Sequence, residues 1–201
     1  MTEPRVYIVD DDDAMRDSLK WLLESRGLKV ELYSSGEAFL KDFSVEFCGC
    51  LVLDVRMPGM NGMDLHASLR ARNSTLPVIF ITGHGDVPMA VAALKKGAAD
   101  FIEKPFNDQD MLRLIESCLK QDRAAAAQRA ERASLAQSLE NLTQREREVL
   151  SLIVAGKLNK QIADDLGISI KTVEVHRSRV MEKMGANSVA ELVQLVLKTR
   201  A

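Results

Sequence analysis

"RVYIVDDDDAMRD", residues 5–17, decides the fold. An apolar run rich in β-branched residues, 6–9, ends in four consecutive carboxylates, Asp10 to Asp13, and passes at once into helical spacing. Strand and helix joined this tightly form the opening of a βα unit. The acids raise a separate question. Like charges crowded at a strand end repel, so something must compensate them.

The same alternation runs through the first 120 residues. Compact apolar runs at 6–9, 28–33, 50–53, 78–81 and 99–102 read as buried strands. Helical stripes lie between them. They carry Met15, Leu19, Leu22 and Leu23 over 14–26, then Ala38, Phe39 and Phe43 over 36–43. Met63, Leu65 and Leu69 follow over 62–72, and Met89, Ala92, Ala93 and Leu94 over 88–96. Met111, Leu112, Ile115 and Leu119 mark the last, over 108–120. Five strand–helix units in strict alternation predict an α/β doubly wound five-stranded parallel sheet with helices on both faces. In such sheets, reactive groups gather at the carboxyl ends of the strands.

Composition divides the chain. Residues 1–120 carry 14 Lys/Arg against 19 Asp/Glu, whereas residues 142–201 carry 10 against 7. An acidic front and a basic back suggest modules with different partners, although the basic excess is too small to argue nucleic-acid binding by itself. Cys48, Cys50 and Cys118 lack zinc-ligand spacing and read first as buried thiols, with a metal or redox pair as the alternative. The N-terminus lacks the apolar core of a signal peptide, and no apolar stretch approaches the ~20 residues a membrane helix needs. The expectation is a soluble cytoplasmic protein.

Residues 121–141 contain no Gly or Pro and are rich in Ala, Gln, Arg and Glu. They read as a continuation of the fifth helix into a semi-rigid linker, with too irregular a register to argue strongly for a coiled coil. Beyond it, Thr143 and Glu146 have the form of a capping box before the stripe Val149, Leu150, Leu152 and Ile153. A short helix over 159–166, a "GIS" turn at 167–169, a longer helix over 170–184 and a last one capped by Ser188 complete an all-α four-helix, helix-turn-helix layout. The expected domains are 1–120, a linker at 121–138, and 139–201.

The acids can now be placed. Asp10 and Asp11 end the first strand, Asp54 the third and Thr82 the fourth, and Lys104 lies just beyond the fifth. The first and third strands are neighbours at the switch point of the sheet, so these groups converge. Mg2+ relieves the repulsion, because it takes carboxylate oxygens together with water and phosphate. Asp12 and Asp13 are better used starting the first helix. A carboxylate beside Mg2+ is suited to attack phosphorus, with Lys104 neutralising charge and the Thr82 hydroxyl bonding the phosphoryl oxygens. The "KP" junction at Lys104–Pro105 reads as a fixed bend. Taken singly, each residue has a plain explanation: a helix cap, a strand terminator, a solvent-facing lysine. The conjunction on four strand ends is what is specific.

These residues sit in "VDDD", "LDVRMPGMNG", "ITGHGD" and "FIEKPF", and residues 4–120 thereby resemble the receiver domain of bacterial two-component response regulators, a flavodoxin-like fold. The resemblance implies Asp54 as phosphoacceptor, Asp10 and Asp11 as the acid pocket, the Arg56 backbone carbonyl as a further Mg2+ ligand, and Thr82 and Lys104 as phosphoryl partners. It also implies Phe101 as the aromatic switch residue. Many relatives carry Tyr there, so a switch here can act only through burial. "GHGDVPMAV" together with the basic tail resembles the nitrogen-fixation-regulator branch.

In the helix "IKTVEVHRSRVMEKM", Val173, Val180 and Met184 share one stripe and face a core. Glu174, Val175 and Ser178 point the other way, as base-reading residues of a recognition helix would, unless that face is simply solvated. The stretch from "LTQREREVL" to "KTVEVHRSRVMEKM" is similar to the quorum-regulator type of helix-turn-helix over about 139–200. That similarity implies phosphate contacts from Lys160, Lys171, Thr172, His176, Arg177 and Lys183. His176 has an inward-packing alternative. Val189, Leu192, Val193 and Val196 resemble the family's dimer contact, with core packing as the other use of that stripe.

Together these readings predict a phosphorylation-switched regulator. A sensor histidine kinase modifies Asp54 with Mg2+ present, the chain dimerises, and the dimer binds double-stranded promoter DNA; RNA polymerase is a further candidate partner. Two rivals remain open. A Mg2+-dependent phosphatase working through an aspartyl intermediate would leave Asp54 and the basic tail unexplained. A phosphorylation-independent DNA binder would not need the complete set Asp10, Asp11, Asp54, Thr82 and Lys104.

Overall fold

The computed structural model describes residues 3–83 and 87–200. Residues 84–86, within the "ITGHGD" and "GHGDVPMAV" motifs, lie outside the described residues. The first compact unit extends to Ala126 and the second begins at Ala127, beyond the expected boundary after residue 120.

In the first unit, β1 (Arg5–Val9), β2 (Lys29–Tyr33), β3 (Gly49–Asp54), β4 (Val78–Thr82) and β5 (Asp100–Glu103) form one sheet in the order β2-β1-β3-β4-β5. Every pairing is parallel. Between the strands run α1 (Asp13–Glu24), α2 (Gly36–Asp42), α3 (Gly62–Ala71) and α4 (Val87–Lys95), and α5 (Asp108–Glu140) follows β5. The period-2 alternation of strands explains the two cores. Val6, Ile8, Cys50, Val52, Ile79 and Ile81 point to one face, where α1 and α5 bring Leu19, Leu23, Met111 and Ile115. Tyr7, Val9, Leu51, Leu53 and Phe80 point to the other, against Phe39, Leu65, Leu69 and Ala93.

Helix starts follow their caps. The Asp12 carboxylate accepts from the Ala14 N–H at 2.9 Å, so α1 begins at Asp13. Asn61 does the same for α3 through the Asp64 N–H at 2.9 Å. The Lys104–Pro105 peptide, expected to be a fixed bend, is cis. Cys50 and Cys118 are buried, Cys48 is half-buried, and all three are free thiols.

Helix α5 runs for 33 residues without a break and covers the whole stretch expected as a helical linker. Its portion beyond residue 120 is not uniformly solvated. Asp122 is buried and accepts from the Gly49 N–H at 2.8 Å, tying this turn to the start of β3. Gly49 has φ +128°, and a Cβ there would stand 1.8 Å from the Arg5 carbonyl oxygen, so only glycine fits.

The second unit contains α6 (Gln144–Val154), α7 (Asn159–Leu166), α8 (Ile170–Met184) and α9 (Val189–Arg200). The Thr143–Glu146 capping box is present in both directions. Gly167 and Gly185, both in the left-handed region, end α7 and α8. One core gathers Val149, Ile153, Ile162, Val173, Val180 and Leu192. Among the described residues, no helix is long and apolar enough to cross a membrane.

Candidate functional site: an acid pocket and a helix-turn-helix face

Parallel pairing in register brings the ends of β1, β3 and β4 together, and the expected site residues come with them. Asp10 is fully buried, Asp54 is 8% exposed, and Asp11 stands in solvent. One oxygen from each lies within 4.8 Å of the other two. Lys104 Nζ donates to Asp10 Oδ2 at 3.1 Å and to Asp54 Oδ2 at 3.3 Å. The lysine is aimed by its backbone, whose N–H donates to the Thr82 carbonyl at 2.8 Å. Thr82 itself is buried at the end of β4.

The pocket is shaped from behind by glycine. The Gly62 N–H donates to the Val55 carbonyl at 3.0 Å, and a Cβ on Gly62 would lie 2.2 Å from the Asp54 carbonyl oxygen. The first residue of α3 is therefore pressed against the backbone that carries Asp54. On the other side, the Asp12 N–H donates to Asp10 Oδ1 at 2.9 Å, and Arg16 Nη1 donates to the Asp10 carbonyl at 2.6 Å. The Arg56 N–H approaches Asp54 Oδ1 at 3.4 Å. Phe101 is half-buried on β5, paired in register with Phe80 and packed on the core of that face.

Electrostatics matches the geometry. Burial, with Asp10 alongside, holds the Asp54 carboxyl above its ordinary value against the pull of Lys104. Burial also works against the Lys104 ammonium, but the Asp10 and Asp54 carboxylates outweigh it and raise its pKa. One ammonium does not balance three carboxylates. The residual negative charge and the all-oxygen donor set of Asp10, Asp11 and Asp54 fit a hard divalent cation such as Mg2+. Among the described residues, no cysteine belongs to a group of three or more potential ligands that could share an ion.

The second unit offers a different surface. Glu174, Val175 and Ser178 on α8 are exposed together, as are Lys160 on α7 and Lys171 on α8. Ser169 caps α8 by accepting from the Thr172 N–H at 3.1 Å, and its hydroxyl meets the Thr172 hydroxyl at 2.8 Å. Arg177 and His176 are half-buried. The Nδ1 of His176 is buried and has no hydrogen-bond partner among the described residues.

Lys183 departs most from the sequence reading. Its ammonium donates to Glu146 Oε2 at 2.7 Å and to the Asn141 carbonyl at 3.1 Å. Sequence reasoning recognised Glu146 only as a cap. The structure makes it a buried counter-charge as well, with its pKa lowered to about 2 by hydrogen bonds from Lys183 and the Thr143 N–H. The resemblance implied a phosphate contact for Lys183 and carried no signal of a partner 37 residues away.

Comparison with known proteins agrees with both halves. Residues 6–116 match the response regulator receiver domain, and residues 140–196 match the luxR family of bacterial regulatory proteins. The chain is a response regulator. This response regulator is 46% identical to the transcriptional regulatory protein FixJ of Bradyrhizobium diazoefficiens over 98% of its own length and 96% of the relative's. It is 47% identical to the C4-dicarboxylate transport transcriptional regulatory protein DctR of Rhodobacter capsulatus, over 94% of this chain and 98% of that one. Among solved structures, the response regulator StyR aligns with a TM-score of 0.91 at 45% identity, over 98% of this chain and 100% of that one. Full-length FixJ from B. japonicum aligns at 0.61 and 45%, over 100% and 98%. The resemblance to the nitrogen-fixation-regulator branch is thus met by similarity along nearly the whole chain. It places this chain in a regulatory family rather than among the phosphatases.

Proposed function

We propose that this response regulator is a phosphorylation-activated transcription factor of the cytoplasm. Its receiver is built on residues 1–120 and its DNA-binding domain on 139–201, joined by a helical linker at 121–138. The observation that carries this reading is the meeting of Asp10, Asp11, Asp54 and Lys104 at the carboxyl ends of β1, β3 and β5, in a chain that also exposes Glu174, Val175 and Ser178 on one helix face.

An Asp54 carboxylate oxygen attacks the phosphorus of a phosphohistidine on a sensor histidine kinase. The P–N bond breaks as an acyl phosphate forms, and the departing imidazole nitrogen takes up a proton. Asp10, Asp11, Asp54 and the Arg56 carbonyl are the groups suited to hold Mg2+. When bound there, Mg2+ supplies positive charge to the phosphoryl oxygens. Lys104, freed from its place between Asp10 and Asp54, neutralises the opposite side of the new phosphoryl group, and the Thr82 hydroxyl donates to one of its oxygens. The movement of Thr82 opens room for Phe101 to turn inward, which alters the surface formed by α4 and β5.

That surface then pairs two copies. A two-fold dimer presents two α8 helices to a two-fold promoter site, with bases read by Glu174, Val175 and Ser178 and phosphates held by Lys160, Lys171, Thr172, His176 and Arg177. RNA polymerase is a candidate partner of the bound dimer. The test is treatment of the full chain with acetyl phosphate and Mg2+. Wild type gains one phosphoryl group by intact mass, doubles its mass in light scattering and binds duplex DNA more tightly. Asp54→Asn does none of these. DNA affinity unchanged by phosphorylation overturns the switch.

A further inference from the structure

Lys183 has the sequence position of a DNA-backbone contact, but its surroundings assign it other work. Its ammonium is held between the buried Glu146 carboxylate at 2.7 Å and the Asn141 carbonyl at 3.1 Å. All three lysines are exposed, but neither Lys160 nor Lys171 has an ion-pair partner among the described residues. Position on the helix agrees. At about 100° per residue, Lys183 lies roughly 135° around α8 from the centre of the Glu174, Val175 and Ser178 face. It is also roughly 12 Å further along the axis than Val175, in the last turn, whereas recognition helices read DNA with their N-terminal turns.

The groups that Lys183 grips are informative. Asn141 directly follows the last residue of α5, and Glu146 sits in the first turn of α6. Glu146 also accepts from the Thr143 N–H at 2.8 Å, so one carboxylate caps α6 and anchors α8. A second cation lies at the same place, with Arg147 Nη2 donating to the Glu140 carbonyl at 2.9 Å. Cations at the carboxyl end of a helix satisfy its orphan carbonyls and complement its dipole. The end of α5, the start of α6 and the end of α8 are thus tied at one point.

We infer that Lys183 is a positioning residue: pinned by Glu146 and Asn141, it sets the pose of α8 against α5 and α6 and leaves the DNA phosphates to other cations. This rests on the DNA-binding reading of α8. The two roles predict opposite signs for one substitution. Glu146→Gln removes a negative charge while keeping a side chain able to cap Thr143. If Lys183 served phosphates, releasing it would tighten DNA binding; if it positions α8, releasing it weakens binding.

The test uses the phosphorylated full chain and a duplex that it enriches from a random-sequence pool. Affinity is measured across salt concentration for wild type, Lys171→Met, Lys183→Met and Glu146→Gln. Circular dichroism melts confirm that each is folded at the assay temperature. Lys171→Met is expected to lose affinity and about 0.9 of the salt slope, the mark of one lost phosphate contact. Lys183→Met and Glu146→Gln are both expected to bind several-fold more weakly with the wild-type slope. A slope reduced in Lys183→Met as in Lys171→Met, tighter binding by Glu146→Gln, or unchanged affinity in both overturns the assignment. A pool that enriches no duplex instead removes the DNA-binding reading beneath it.

Discussion

Lys104 reaches Asp10 at 3.1 Å and Asp54 at 3.3 Å, so a single ammonium bridges acids at the ends of two neighbouring strands. Asp10 is wholly buried. Lys104→Met therefore strands a desolvated carboxylate next to a second one. Breaking a buried pair from one side typically costs 3–5 kcal/mol, and the partial exposure of Lys104 reduces this to about 2 kcal/mol. Urea denaturation in EDTA measures it, and adding Mg2+ is expected to restore part of the loss.

Asp54→Asn is expected to abolish phosphorylation without lowering stability. Burial raises the Asp54 pKa in the fold, so the folded chain holds this proton more tightly than the unfolded one. The carboxyl's contribution therefore falls as pH rises from its ordinary value of 3.8 through the raised one. At neutral pH the ionised group opposes folding, and the amide does not. Thermal melts at pH 7 should place the variant level with wild type or above it.

Gly62→Ala puts a methyl where the Asp54 carbonyl oxygen already stands 2.2 Å away. The start of α3 must then shift off the backbone that carries Asp54. A loss of about 1–3 kcal/mol is expected in urea melts, as for other overpacked sites. Calorimetry should show weaker Mg2+ binding, because the displaced strand end moves Asp54 relative to Asp10 and Asp11.

Glu146 predicts a pH signature with the opposite sign. Its pKa is depressed from 4.5 to about 2 in the fold, so its stabilising effect is complete above 4.5 and fades as pH falls toward 2. In urea melts, the stability lead of wild type over Glu146→Gln should be constant from pH 7 to about 5 and shrink measurably by pH 3. A lead that grows on acidification would contradict the Lys183–Glu146 pairing.

Much of this was readable from local pattern. Strict alternation of strand and helix pointed to a doubly wound parallel sheet, because right-handed crossovers leave few alternatives, and placed β1 beside β3 at its switch point. Once β1 and β3 were neighbours, the meeting of Asp10 and Asp54 followed. Illegible were contacts that neither periodicity nor register constrains. The Lys183–Glu146 bond joins turns of different helices, and the side chain of Asp122 reaches Gly49 across 73 residues. Lys183 has the charge and the motif position of a phosphate ligand, which is all the resemblance carries over; only three-dimensional proximity shows its ammonium already occupied.

The Asp122 contact has a practical side. The receiver match ends at residue 116, and a fragment trimmed there would leave the Gly49 amide without its carboxylate, at a point where no side chain can fill in. Isolated receiver halves of this protein should accordingly be cut no earlier than residue 126, or their behaviour will report a frayed start of the central strand β3 instead of the intact one.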